Sequence, residues 1–231
     1  MFPLHDDNPT NINPVITIGF MVICILTYVW QASLGDQIAQ SVVYSFGVIP
    51  AVLLDHTQLS SDLYAVPAEI TVITSMFMHG GFLHLAGNML YLWIFGNNVE
   101  DSMGHGKFFI FYLLCGVAAA LTQALISPQS TIPMIGASGA VSGILGAYLL
   151  LYPHAKVLVV VPIIIILKTF RIPAMLVLGL WFGLQLISSA NSAPDEGGTA
   201  WWAHIGGFIA GMILIPFFKD ENVPLFHPAH K

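Results

Sequence analysis

The sequence predicts an all-α polytopic membrane protein built from six transmembrane helices. Of its 231 residues, 56% are hydrophobic and only 8% are charged, whereas soluble domains carry about 25% charged residues. The uncharged stretches are long enough for spanning helices, which need about 20 apolar residues each. The longest of them must hold two helices, because the segment SPQS at 127–130 and Pro133 break it near its middle.

The six spans are expected at residues 14–34, 76–96, 108–126, 136–152, 172–189 and 199–218. They form one membrane domain, residues 14–218, between short tails at 1–13 and 219–231. The apolar run at 157–167 is too short to cross a bilayer, contains Pro162 and is flanked by Lys156 and Lys168. We expect this run to form a re-entrant or interfacial connection rather than a seventh span.

The cations indicate how the helices are oriented. If both termini are cytoplasmic, every Lys and Arg falls on the cytoplasmic side, as the positive-inside rule requires; these residues are Lys107, Lys156, Lys168, Arg171, Lys219 and Lys231. The net charge of −6 then follows from acidic outer connections and gives no support to nucleic-acid binding. Residues 1–13 contain no Lys or Arg, so we expect no signal peptide and a retained first helix. In a bacterium the protein would lie in the plasma (inner) membrane.

Two polar residues lie where hydrocarbon offers them no water. Ser138 belongs to GASG at 136–139 and His204 to AHIGGF at 203–208, each at the start of a predicted span. Such residues are functional candidates, because they must face the interior of the bundle. In the predicted topology both enter the membrane from the outside at similar depth and are able to meet. A nucleophile beside a base indicates hydrolysis inside the membrane.

His84 and Asn88, in the outer half of the second span, add a third contribution. Being four residues apart, they share a helical face and can direct donors at one point. Acyl transfer needs such donors, because the tetrahedral intermediate carries an oxyanion. Asn88 and the backbone N–H of Ser138 are therefore expected to form an oxyanion hole.

Glycines are expected to bring the fourth and sixth helices together. Small residues let helix backbones touch in lipid; these glycines are Gly139, Gly143 and Gly146 on the fourth helix, and Gly207 and Gly211 on the sixth. Gly136, two residues before the serine, is expected to have a structural role at the site. Taken alone, each feature has a simpler interpretation: a glycine-rich helix contact, a packing or proton-relay histidine, or an interhelical hydrogen-bonded pair. Their matched depth in one topology favours a hydrolase.

The chain also resembles the rhomboid intramembrane serine proteases. The matching segments are HGGFLHLAGN at 79–88, GASGA at 136–140 and AHIGGFIAG at 203–211, and their order and spacing agree over residues 14–218. The resemblance implies a six-helix rhomboid-like bundle. It also implies that Ser138 is the nucleophile and that His204 is the general base and then the general acid.

By the same resemblance, His84, Asn88 and the backbone N–H of Ser138 bind the oxyanion, and His79 has a structural role. The implied substrates are transmembrane proteins. A substrate helix must unwind before cleavage, since it hides its carbonyls in its own hydrogen bonds. We expect cleavage near the outer end of a substrate span and a gate in the connection 188–200.

The chain departs from its relatives at several positions. Some relatives carry a Tyr one turn after the serine that stacks on the histidine, but Ser142 occupies that position, so another group must orient His204. A relative with a Glu-x-Arg pair would place Arg at Ser102, whereas this chain has only Glu100. Because no acidic residue lies in the spans, the histidine is expected to act without a carboxylate, as in dyad hydrolases.

Two other function classes stay open at this point. One is a channel or transporter with a polar pathway through His79, His84, Asn88 and His204, which would not need Ser138. The other is a rhomboid-like protein that binds membrane clients without cutting them. No zinc site is expected, since Cys24 and Cys115 form no Cys-x-x-Cys pattern. No cofactor, metal or nucleic acid is expected as a partner. Membrane lipids are the remaining expected partners.

Overall fold

The computed structural model describes residues 2–163, 166–191 and 199–227. Most of these residues are helical. The helices are α1 (Val15–Ser33), α2 (Asp36–Phe46), α3 (Pro50–Leu53), α4 (Ala68–Thr74), α5 (Phe82–Met103), α6 (His105–Ile126), α7 (Ser138–Leu151), α8 (Ala174–Asn191) and α9 (Trp201–Phe218), and a 3-10 turn at Ser75–Phe77 extends α4.

Four of the described helices, α1, α6, α8 and α9, are long and apolar enough to cross a membrane. The number becomes five if α4 with its 3-10 turn and α5, bent by 81° at the break between them, form one broken span. The apolar helix α7 has only 14 residues. At about 1.5 Å per residue it is shorter than the ~30 Å hydrocarbon core.

The second predicted span is displaced along the chain. It was expected at 76–96, whereas α5 covers Phe82–Met103. The polar end of α5 stays helical because Glu100 is fully buried and accepts hydrogen bonds from the backbone N–H groups of Ile16 (2.9 Å) and Thr17 (2.8 Å). These N–H groups open α1 and have no acceptor within their own helix, so one carboxylate ties the two helices together.

A three-stranded antiparallel sheet corrects the all-α expectation. Its strands are β1 (Phe2–Asp6), β2 (Lys156–Ile163) and β3 (Ile166–Pro173), in the order β1-β2-β3. The run at 157–167, expected to be a connection, thus contributes residues 157–163 to β2 and residues 166–167 to β3, and these two antiparallel strands lie between α7 and α8 in the chain. Its Val-rich composition favours strand, and Val157 and Val159 are completely buried.

The sheet and both ends of the described chain lie at one end of the bundle. In β1, Asp6 accepts a hydrogen bond from Tyr148, near the end of α7. Lys107, at the start of α6, pairs with Asp220, just beyond α9, at 2.8 Å. The ends of α7 and α9 therefore lie on the side of the sheet, and the starts of both helices lie on the opposite side.

Helices α7 and α9 are in backbone contact. A Cβ added at Gly207 would collide with the carbonyl of Gly139, and one added at Gly211 would collide with the carbonyl of Gly143. Glycine is thus required by space at both positions of α9. The contact brings the first turns of α7 and α9 side by side.

Candidate active site

Ser138 and His204 meet at the end of the bundle opposite the sheet. Ser138 is the first residue of α7 and His204 lies in the first turn of α9. The Ser138 Oγ lies 2.8 Å from the His204 Nε2, within hydrogen-bond distance. The structure thus joins the two residues that the sequence singled out.

A cavity of about 750 Å³ opens beside this pair. Its polar lining includes His84, Asn88, Ser138 and His204, and its aromatic lining includes Tyr91, Trp181 and Trp201. None of the described lining residues is charged. A peptide bond entering this space would meet neutral hydrogen-bonding groups and apolar walls.

His84 and Asn88 both line the cavity. His84 Nδ1 lies 3.5 Å from the backbone N–H of Gly80, so its Nε2 is left to carry the ring proton. A Cβ placed on Gly136 would lie 2.7 Å from that Nε2 and 3.6 Å from the Ser138 Oγ, so the imidazole and the hydroxyl flank the same small space. The buried Asn88 Nδ2 has no hydrogen-bond partner within the described residues.

His79 and Gly136 lie behind this space. His79 is fully buried, and its ring meets that of His84 edge-on with centroids 5.2 Å apart. Gly136 has φ +127°, a conformation that favours glycine, and its N–H donates to the carbonyl of Ser75 at 2.9 Å. Both residues support the position of His84 and of the segment that leads into α7.

Two site residues on α8 were not anticipated from the sequence. Gln185 Oε1 lies 2.8 Å from the His204 Nδ1, and the Trp181 ring lies against the imidazole with centroids 6.0 Å apart. Ser142, at the position of the missing Tyr, instead donates its hydroxyl to the Ser138 carbonyl at 2.6 Å. The sequence signal that could have identified Gln185 was its amide side chain within the mainly apolar predicted span 172–189, because a polar residue in hydrocarbon is a functional candidate.

Two further expectations concern the surroundings of the site. Among the described residues, no group of three or more His, Cys, Asp or Glu is placed to hold a metal ion. The gate was expected at 188–200, and residues 192–198 of that connection lie outside the described part of the chain.

The bundle and its site define a mostly helical, multi-pass integral membrane protein with a serine–histidine pair in a cavity. The rhomboid domain family matches residues 68–220, more than half of the chain. The protein therefore belongs to the rhomboid family. Membership of this family supports intramembrane protease activity in general.

The relatives include a protein named as a protease and one named as inactive. Rhomboid protein 1, mitochondrial, of Saccharomyces cerevisiae is 32% identical over 155 residues, which are 64% of this chain and 41% of the relative. Rhomboid protease GluP of Bacillus subtilis is 29% identical over 203 residues, 87% of this chain and 34% of the relative. Inactive rhomboid protein 1 of Drosophila melanogaster is 34% identical over 89 residues, 38% of this chain and 6% of the relative. The chain thus spans well under half the length of each of these three relatives.

Proposed function

We propose that this chain is an intramembrane serine endopeptidase that cuts transmembrane proteins with Ser138 as nucleophile and His204 as base. The observation that carries the proposal is the 2.8 Å hydrogen bond between the Ser138 Oγ and the His204 Nε2 inside the cavity. A nucleophile and a base within hydrogen-bond reach are the signature of covalent acyl transfer. The family match agrees with this chemistry.

The first half of the reaction forms an acyl-enzyme. His204 Nε2 takes the hydroxyl proton as the Ser138 Oγ attacks the scissile carbonyl. The protonated imidazole then gives that proton to the amine leaving group as the C–N bond breaks. Water then enters the cavity, gives one proton to His204 Nε2 and attacks the ester carbonyl. As the bond between the carbonyl carbon and the Ser138 Oγ breaks, His204 returns that proton to the Oγ, which restores Ser138 and releases the carboxylic acid product.

Three donors are available to the oxyanion. The Ser138 N–H begins α7 and has no acceptor within the helix, and the helix dipole also favours negative charge there. Asn88 Nδ2 is buried without a partner among the described residues, and His84 Nε2 flanks the same space. Donors fixed in advance in a site of low dielectric are the usual source of oxyanion stabilisation.

A fluorophosphonate probe tests the nucleophile, because only an activated serine reacts with it. We expect labelling of detergent-solubilised protein at Ser138, no labelling of Ser138→Ala, and loss of labelling in His204→Ala. The matched control is Ser142→Ala, which removes a buried hydroxyl one turn away that, among the described residues, donates to the Ser138 carbonyl. Labelling of His204→Ala at the wild-type rate would contradict the dyad.

We further propose six membrane crossings with both termini in the cytoplasm, and the plasma (inner) membrane as the location in a bacterium. The short α7 then crosses with the help of its flanking segments. Support comes from the cations that gather with the sheet, opposite the site. Cysteines introduced at Asp36 and Gln129 should react with impermeant reagents from outside, whereas those at Gly106 and His154 should not. The inverse pattern would move the site to the cytoplasmic side.

The non-catalytic alternative makes the opposite forecast for the probe. The name of the Drosophila relative calls that protein inactive. A rhomboid-like protein that only binds clients has no use for a hydroxyl hydrogen-bonded to an imidazole. Absence of labelling in folded wild-type protein would favour client binding. Transport that survives Ser138→Ala would favour the channel interpretation.

A further inference from the structure

The imidazole of His204 is held on the side away from Ser138 by a single helix, α8. Gln185 Oε1 lies 2.8 Å from the His204 Nδ1, and the Trp181 ring lies beside the imidazole, with centroids 6.0 Å apart and planes tilted by 32°. Gln185 and Trp181 are one helical turn apart, so they present one face of α8 to the histidine. Gln185 is only 6% exposed, which keeps water from competing for this hydrogen bond.

The amide of Gln185 also selects the tautomer of the histidine. Its Nε2 lies 3.4 Å from the Trp181 carbonyl, and that contact directs the Oε1 at the His204 Nδ1. An amide oxygen only accepts hydrogen bonds, so Nδ1 must carry the proton. The His204 Nε2 is then unprotonated and accepts the hydrogen bond of the Ser138 hydroxyl, as a general base must.

We propose that Gln185 is a positioning residue for the reaction, a neutral counterpart of the carboxylate in a serine-protease triad; the inference rests on the proposed function. Gln185 takes no proton. Its oxygen keeps the Nδ1–H in place while the Ser138 proton moves to Nε2, and the hydrogen bond strengthens as the imidazole becomes cationic. Hydrogen bonds to charged groups exceed those to neutral groups, so the contribution falls mainly on the transition state.

The test compares four variants of the full chain in cleavage of one transmembrane substrate. Gln185→Met keeps the length of the side chain but has no oxygen, and Gln185→Asn keeps the amide but is one methylene too short to reach. Gln185→Glu retains an oxygen at the same place. Asn191→Ala is the matched control, because Asn191 is a second amide on α8 that is exposed, is not among the described lining residues of the cavity and donates to the carbonyl of Ile187 in its own helix at 2.7 Å.

We expect Gln185→Met and Gln185→Asn to lower kcat by about 10- to 100-fold, the range for a hydrogen bond to a charged group, with KM and melting temperature nearly unchanged. Gln185→Glu should recover most of the loss, and Asn191→Ala should match the wild type. If Gln185→Met does not fold, Gln185→Asn gives the same comparison. A purely structural role would change melting temperature and would not be rescued by Glu.

Two outcomes would overturn the inference. In one, Gln185→Asn turns over like the wild type; in the other, Gln185→Glu is as slow as Gln185→Asn. Either result would remove the positioning role of Gln185 and leave the proposed function standing, as long as wild-type protein is labelled by the fluorophosphonate and Ser138→Ala is not. Absence of that labelling would instead remove the proposed function and the inference with it.

Discussion

Replacing Gly136 by Ala should damage the site although it substitutes neither of the proposed catalytic residues. The new Cβ would lie 2.7 Å from the Cε1 and Nε2 of His84, and ordinary contact begins at 3.4 Å. The ring must therefore retreat by about 0.7 Å, or the backbone must move; misplacement of about 1 Å can cost ~10²-fold in rate. The φ of +127° adds strain of order 1–3 kcal/mol for a residue with a side chain.

We expect Gly136→Ala to lower turnover and the rate of fluorophosphonate labelling by about 10- to 100-fold per folded molecule. Gly80→Ala is the matched control on the other side of His84, since its Cβ would lie 3.8 Å from Ile135 and 3.9 Å from the imidazole. That variant should keep wild-type activity. Turnover of Gly136→Ala within threefold of the wild type, or an equal loss in Gly80→Ala, would refute the reasoning.

Three further predictions address the oxyanion, the helix contact and the sheet. Asn88→Ala should lower kcat by ~10² to 10³ with little change in melting temperature; a large drop in melting temperature with normal turnover would make Asn88 a fastener between helices. Gly211→Ala should strongly destabilise the protein through its collision with Gly143, whereas Gly179→Ala, which meets nothing within 4 Å, should not; equal melting temperatures would contradict the contact. Burial raises the pKa of Asp6 above its ordinary value of 3.8, so the native state binds that proton more tightly than the unfolded chain. The difference in unfolding free energy between wild type and Asp6→Asn should therefore decrease as pH rises from about 4 through the folded-state pKa. An increase of this difference over the same pH range would refute the prediction.

The sequence is sufficient to locate most helices of the bundle. Proline and glycine breaks and the lengths of the apolar runs place α1, α6, α8 and α9 within a few residues of the observed bounds. Ser138 on α7 and His204 on α9 were found because a polar residue at the start of a predicted membrane span is a functional candidate. That the two residues meet was inferred from matched depth in the topology; their catalytic roles stay predictions.

The features missed by the sequence analysis depend on contacts between distant segments. Glu100 extends α5 beyond its apolar part only because the start of α1 supplies N–H donors 83 and 84 residues away. The strand β1 forms because β2 offers it an edge, and residues 1–13 alone carry no sign of that partner. Gln185 was visible as a polar residue, but its spacing of 19 residues from His204 follows no local periodicity.

The position of His204 explains why the site needs an acceptor on α8. His204 lies in the first turn of α9, where the positive end of the helix dipole opposes a cationic imidazole by about 0.3–1 kcal/mol. The start of α7 at Ser138 carries the same positive dipole end, which favours the negative oxyanion. In the transition state, the two helix starts therefore stabilise the oxyanion but oppose the cationic imidazole. A carboxylate would offset the second effect but is costly to bury in hydrocarbon. The neutral oxygen of Gln185 supplies a negative dipole end at the His204 Nδ1 without that cost. Under the proposed mechanism, the base and its acceptor therefore depend on one contact, the packing of α8 against α9.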